Sequence, residues 1–180
     1  MDTSFLRAFV LCPLLGAEFD PQWLSQTHLL GRTPAQVRTL FPEAKPVDQP
    51  DHIYSGAVGQ LAVSDLEVGG VPVTARFYFL RGELSQLELA GPRDLAPESA
   101  RQALGALQQN MQACYGQGTD ETYQDEITRR QSTLWLLGAT RVELLHLQLG
   151  RADPVLKIIY RRPQKDPGPP PGPRLKPIGS

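Results

Sequence analysis

The densest group of side chains that could bind a metal ion or take part in catalysis is acidic. Asp120, Glu121, Asp125 and Glu126 stand in one short stretch of the chain. Carboxylate oxygens are the ligands that hard cations such as Ca²⁺ prefer, but this spacing lacks the alternating ligands and the glycine of an EF-hand loop. The sequence therefore favours a solvated loop over a metal site.

Histidines and cysteines supply the remaining candidate bases, nucleophiles and metal ligands. They are His28, His52, His146, Cys12 and Cys114. His146 stands between two leucines of a predicted strand, which favours a core or edge residue over a general base. Neither cysteine belongs to a CxxC pair or stands near a spaced histidine, which argues against zinc. Cys114 ends an apolar helical stripe and is predicted to be a small core residue.

Motifs for nucleophilic catalysis and phosphate binding are absent from the sequence, which has neither a GxSxG elbow nor a Walker A loop. Gly116-Gln117-Gly118 begins like a dinucleotide fingerprint, but it follows a predicted helix and Glu121 stands where the third glycine belongs. We therefore predict no catalytic residue, no cofactor and no metal, and we expect a protein that is not an enzyme.

One predicted strand carries residues suited to binding another protein. Alternation over residues 73–80 buries Phe77 and Phe79 and directs a second row to the opposite face. That row, the candidate partner-binding surface, is Arg76, Tyr78 and Leu80. Tyrosine and arginine are enriched at interface hot spots. Two interpretations stay open, because the row is either exposed to a partner or covered by the second helix.

Length and composition describe the domain that must position these groups. A chain of 180 residues with 41% hydrophobic and 21% charged residues is typical of a soluble globular domain. The formal net charge of −1 argues against nucleic-acid binding. No stretch approaches the roughly 20 apolar residues that a transmembrane helix requires.

The first helix is predicted from its capping signals. Thr33 can act as N-cap, Pro34 suits the first helical position, and Gln36 can complete a capping box. The helix should end near Phe41, because Pro42 cannot continue it.

A longer helix is predicted from Pro97 to Tyr115, with Gly116 as its C-terminal cap. Its apolar stripe is Ala100, Ala103, Leu104, Leu107, Met111 and Cys114.

Each helix precedes strands joined by tight turns. Residues 60–68, 73–80 and 83–90 form a predicted antiparallel meander, and residues 132–137, 140–149 and 155–160 form a second. The expected class is α+β, with two tandem helix-plus-meander halves at about 18–92 and 93–162, packed as one domain over 18–162.

Both termini differ in character from this domain. Residues 8–15 are apolar and follow Arg7, which indicates a signal peptide over 1–17 cleaved after Ala17; the alternative is a first buried strand. Residues 163–180 are rich in proline and predict a flexible extended tail. The tail is basic while the preceding body is acidic.

The run Leu30-Gly31-Arg32-Thr33-x-x-Gln36-Val37, followed by a short helix and a meander, resembles lipoproteins of the BamE (SmpA/OmlA) type. The order of elements also resembles the β-lactamase-inhibitor-protein fold, in which a helix-plus-sheet unit is duplicated. The resemblance implies a periplasmic or secreted, non-catalytic protein that binds another protein or assists envelope assembly. The alternative function is a cytoplasmic adaptor or complex subunit with a proline-rich docking tail.

Overall fold

The computed structural model describes residues 29–163, which form two helices and eight strands. The helices are α1 (Pro34–Leu40) and α2 (Pro97–Tyr115). The strands are β1 (Lys45–Pro46), β2 (Val58–Val68), β3 (Val71–Leu80), β4 (Glu83–Ala90), β5 (Thr119–Gln124), β6 (Thr128–Leu137), β7 (Thr140–Leu149) and β8 (Val155–Arg161). The predicted signal peptide at 1–17 lies outside the described residues, as does the predicted tail beyond Pro163.

All eight strands belong to one antiparallel sheet in the order β1-β2-β3-β4-β8-β7-β6-β5. The predicted α+β class with an antiparallel sheet is confirmed. The meander β2-β3-β4 joins the meander β5-β6-β7-β8 where β4 pairs with β8, with Leu87 opposite Tyr160. The two predicted halves therefore share one continuous sheet. Among the described helices, none is both long enough and apolar enough to cross a bilayer.

The first helix begins as its capping signals predicted. Thr33 Oγ1 accepts a hydrogen bond from the Gln36 backbone N–H at 3.4 Å, and Gln36 Oε1 accepts one from the Thr33 N–H at 2.9 Å. A helix of seven residues has little stability alone, so its packing decides its place. Val37 is fully buried, and the ring of Phe41 lies 5.1 Å from that of Phe77.

Helix α2 also has the predicted bounds, with Gly116 at its C-terminus at φ +78°. Its buried residues are Ala100, Leu104, Leu107 and Met111. Ala103 and Cys114 are half-buried, so the apolar stripe is narrower than predicted. The same core cluster contains residues of α1, of α2 and of one face of the sheet. Both helices therefore cover that face, and we call the opposite side the outer face.

Only half of the acidic stretch is the solvated loop that the sequence predicted, because Asp125 and Glu126 lie exposed between β5 and β6. Asp120 and Glu121 belong to β5, which pairs with β6 along its whole length at the edge of the sheet. All six residues of β5 are exposed. Its sequence lacks the alternation of apolar and polar residues by which a half-buried strand is recognised. Backbone pairing with β6 defines this strand, and β6 itself starts at Thr128, earlier than the predicted residue 132.

Candidate functional site on the outer face of the sheet

The predicted row of Arg76, Tyr78 and Leu80 lies on the outer face but does not form one exposed surface. Tyr78 is only 2% exposed, whereas Leu80 is 38% exposed. The Tyr78 hydroxyl donates to Asp51 Oδ2 at 3.0 Å, and Arg76 Nη1 lies 2.8 Å from Asp51 Oδ1. Asp51 comes from the loop before β2. Neither predicted interpretation holds for Tyr78, because this loop and not the second helix covers it.

The pKa values of Tyr78 and Asp51 are shifted by these contacts. Burial, the charge of Glu88 and the hydrogen bond to Asp51 together raise the pKa of Tyr78 well above that of an exposed tyrosine. Burial also acts to raise the pKa of Asp51, but the Tyr78 hydrogen bond and the Arg76 charge outweigh it and lower that pKa. At neutral pH the group is therefore a neutral phenol, a carboxylate and a guanidinium.

Glu88 is a second buried carboxylate on this face. Only 6% of its side chain is exposed, and both of its oxygens have partners. Gln86 Nε2 donates to Oε1 at 2.7 Å, and Lys157 Nζ donates to Oε2 at 2.7 Å. The Lys157 pair crosses from β8 to β4, so it links the two meanders.

Glu143 forms the most highly charged cluster of the outer face. Its side chain is 2% exposed, and Arg130 Nη2 donates to its Oε1 at 2.6 Å. Arg161 Nη2 donates to Oε2 at 3.2 Å, and Arg141 Nη2 lies 3.7 Å from the same oxygen. We call these three arginines with Glu143 the arginine cluster.

The arginine cluster carries an excess of positive charge. Three guanidinium groups surround one carboxylate, which leaves a net charge of +2 at neutral pH. The arginine side chains are 31–43% exposed, while the carboxylate is buried. The solvent-facing part of the cluster is therefore cationic.

Apolar side chains surround this charge. Because Trp135, Val142 and Ile158 point into the core, the alternate residues of their strands point outward. The outward apolar residues of β6, β7 and β8, here called the apolar band, are Leu134, Leu136, Leu145, Leu147, Leu149, Val155 and Ile159. Leu136 is 73% exposed, Leu149 47% and Val155 37%. No described element covers this band.

Residues of the apolar band lie directly beside the arginine cluster. Leu134 on β6 and Ile159 on β8 lie directly opposite Glu143 on β7. On β7 itself, Arg141 and Leu145 are the nearest outward neighbours of Glu143. These apolar neighbours exclude water from the Glu143 carboxylate and so strengthen its ion pairs with the arginines.

Two open grooves border this surface. One, of about 630 Å³, is lined in part by Leu80, Gln86 and Arg161. The other, of about 640 Å³, is lined in part by Arg76, Tyr78 and Lys157. The three residues predicted for the partner surface thus line groove walls, but they are divided between two grooves.

Other predicted candidates lie elsewhere. His146 is buried on the helix side, where burial and the charges of Arg129 and Arg101 lower its pKa. Asp125 Oδ1 accepts the backbone N–H groups of Ile127 and Thr128, which lowers the pKa of this exposed carboxyl. Within residues 29–163, no group of three or more His, Cys, Asp or Glu residues could hold a metal ion.

Sequence reasoning missed the arginine cluster, because its members come from three strands. A usable signal was present in β7, where Leu145 and Leu147 alternate with the buried Leu144 and His146. A strand with apolar residues on both faces indicates either a covered sheet or an exposed apolar surface.

No protein-family model matches this sequence, and no curated protein matches it. Among solved structures, the chain is similar to the crystal structure of a DUF4309 family protein (YjgB) from Bacillus subtilis subsp. subtilis str. 168. The identity is 12% with a TM-score of 0.38, over 77% of this chain and 84% of that chain.

Proposed function

We propose that this protein is a non-catalytic protein-binding module whose partner docks on the outer face of β6, β7 and β8. The observation that supports the proposal is the apolar band beside a charged cluster, where Leu136 is largely exposed and Leu149 is about half exposed. Soluble proteins that expose a contiguous apolar surface with polar borders commonly use it as an interaction site. Charged side chains lie beside the band, where Arg130 and Arg161 pair with Glu143.

Site-specific photocrosslinking tests this proposal. A photoreactive amino acid replaces Leu136 on the outer face, and a matched variant carries it at Gln109, an exposed residue of α2. In cells that produce the protein, we expect discrete crosslinked species from residue 136 and none of the same mass from residue 109. Equal crosslinking from both residues, or none from residue 136, would contradict the proposal.

We place the protein in the periplasm or outside the cell, with envelope assembly as the process that it serves. This placement is supported by the apolar run at 8–15, by the resemblance of residues 30–37 to BamE-type proteins, and by the order of elements, which resembles the β-lactamase-inhibitor-protein fold. Determination of the mature N-terminus tests it. A start at Glu18 supports export, whereas a start at Met1 or Asp2 favours a cytoplasmic adaptor.

We also propose that the two halves, 18–92 and 93–162, descend from a duplicated helix-plus-meander unit. The support is the order of elements, in which α1 and α2 each precede a run of antiparallel strands. Each run has four strands, one more than the prediction assumed. Sequence profiles from related proteins test the duplication, because duplicated halves should align with their helices and hairpin turns in register.

A further inference from the structure

We propose that the arginine cluster and the apolar band together bind a partner segment that combines acidic and apolar side chains. This inference rests on the proposed function and adds the chemistry of the partner. The cluster provides fixed guanidinium groups for carboxylates, and the leucines beside it provide apolar contact area.

Glu143 holds the arginine side chains in position to bind a second carboxylate. A guanidinium group has five N–H donors in a planar arrangement that matches a carboxylate. Glu143 accepts one hydrogen bond each from Arg130 and Arg161, so most of the donors of the cluster are left over. The buried carboxylate also holds the long side chains in place, which lowers the entropy cost of binding a second anion.

Arg141 is the member of the cluster with the most unused capacity. Its Nη2 lies 3.7 Å from Glu143 Oε2, too far for a strong hydrogen bond. Its buried Nε has no hydrogen-bond partner among the described residues. Arg141 on β7 lies directly opposite both Leu136 on β6 and Arg161 on β8. A carboxylate placed beside Leu136 would therefore meet two guanidinium groups.

Charge selects among the candidate occupants. The side chains of residues 163–180 include Lys165, Arg174 and Lys176 against a single acid, Asp166, so they carry a net charge of +2. The arginine cluster also has a net charge of +2, which disfavours docking of this segment. A second copy that used the same surface would bring two such clusters to one interface. A partner with acidic groups is the occupant that the charge favours.

The other ion pairs of the face do not alter this balance. Lys157 neutralises Glu88, and Arg76 neutralises Asp51. Among the ion pairs of this face, the arginine cluster is therefore the one that leaves an excess of positive charge, and it lies within the apolar band.

Selection of peptides from a random displayed library tests the proposal. Peptides are selected on the wild-type protein after depletion on the Leu136→Asp variant, which removes the apolar contact and repels acidic peptides. We expect enriched sequences that combine Asp or Glu with apolar residues. Neutral or basic sequences, or no enrichment over the depleted library, would overturn the proposal.

Fluorescence anisotropy with the most enriched peptide then measures the contribution of charge. We expect Arg141→Gln to weaken binding by about fivefold or more, since a charged contact at an interface is lost. The matched control is Arg101→Gln on α2, whose exposed ion pair with Glu98 lies on the other side of the sheet. The control should bind as the wild type does.

The wild-type protein gives a second measurement in case Arg141→Gln does not fold. Raising the salt from about 50 mM to about 300 mM shortens the screening length, and binding should weaken about tenfold. Binding that is insensitive to salt and to Arg141 would overturn the acidic partner. So would a dimer in sedimentation analysis that Leu136→Lys dissociates, because the occupant would then be a second copy.

The two proposals can fail separately. Crosslinking from residue 136 to a partner, combined with no preference for acidic peptides, would retain the protein-binding function and reject its acidic chemistry. An absence of crosslinking from residue 136 would reject the function itself.

Discussion

Gly59 lies so close to Asp51 that a methyl group on residue 59 would stand 2.5 Å from Asp51 Oδ1. Gly59 is also directly opposite Tyr78 on β3. The absence of a side chain at residue 59 therefore gives the Asp51 carboxylate the space in which it contacts both Tyr78 and Arg76.

Gly59→Ala should displace Asp51 and destabilise the protein by about 1.5–3 kcal/mol, the usual contribution of a hydrogen bond to a charged group. The control is Gly105→Ala in the middle of α2, where an added methyl group meets no atom within 4 Å. That control should be stabilised by up to about 1 kcal/mol, because alanine favours helix more than glycine does. Urea denaturation measures both. If both variants changed the free energy of unfolding by the same amount and in the same direction, the position of Asp51 would not depend on the absence of a side chain at residue 59.

Leu107→Ala should destabilise the protein by about 2–5 kcal/mol, since Leu107 is 1% exposed and its truncation leaves a cavity in the core. Gln108→Ala on the same helix should be close to neutral, because Gln108 does not belong to the buried stripe. Thermal melts of the two variants test the assignment of the helix face, which would be wrong if both melted at the same temperature.

Glu143→Gln should reduce the free energy of unfolding by about 2 kcal/mol, within the range of about 1.5–3 kcal/mol for hydrogen bonds to charged groups. The amide keeps the shape but leaves three arginines without their counter-charge. Glu98→Gln is the control, because its ion pair with Arg101 is about two-thirds exposed, at 65% and 67%. Exposed pairs of this kind contribute little. A loss for Glu98→Gln as large as that for Glu143→Gln would contradict the central role of Glu143.

Tyr78 should make the stability of the protein fall at alkaline pH. Because the pKa of Tyr78 is raised in the folded chain, the unfolded chain releases this proton first, near pH 10. The contribution of Tyr78 is thus complete below about pH 10 and is lost as the pH rises through the folded pKa. Between about pH 9 and pH 11, the wild type should lose more stability than Tyr78→Phe, in which the other tyrosines are unchanged. Parallel pH profiles in chemical denaturation would refute this assignment.

The N-terminus of α1 and the hairpin turns were predictable because they are local. The capping box joins Thr33 to Gln36, only three residues away, and the turn at Gly69-Gly70 has the positive φ angles of +54° and +78° that glycine accepts most readily. Such contacts depend on neighbouring residues alone. The sequence therefore determined both helices and the hairpins that join β2 to β3, β3 to β4, and β6 to β7.

The tertiary structure decided which distant residues meet. Pairing of β4 with β8 brings Glu88 to Lys157, and pairing of β6, β7 and β8 brings Arg130 and Arg161 to Glu143. Strand alternation specifies the face on which each residue lies, but it does not specify the neighbouring strand. Burial of Tyr78 likewise depended on the loop that carries Asp51. Local chemistry thus determined both helices and most strands, whereas β5 was defined by its pairing with β6 and the candidate site arose from pairings between strands far apart in the chain.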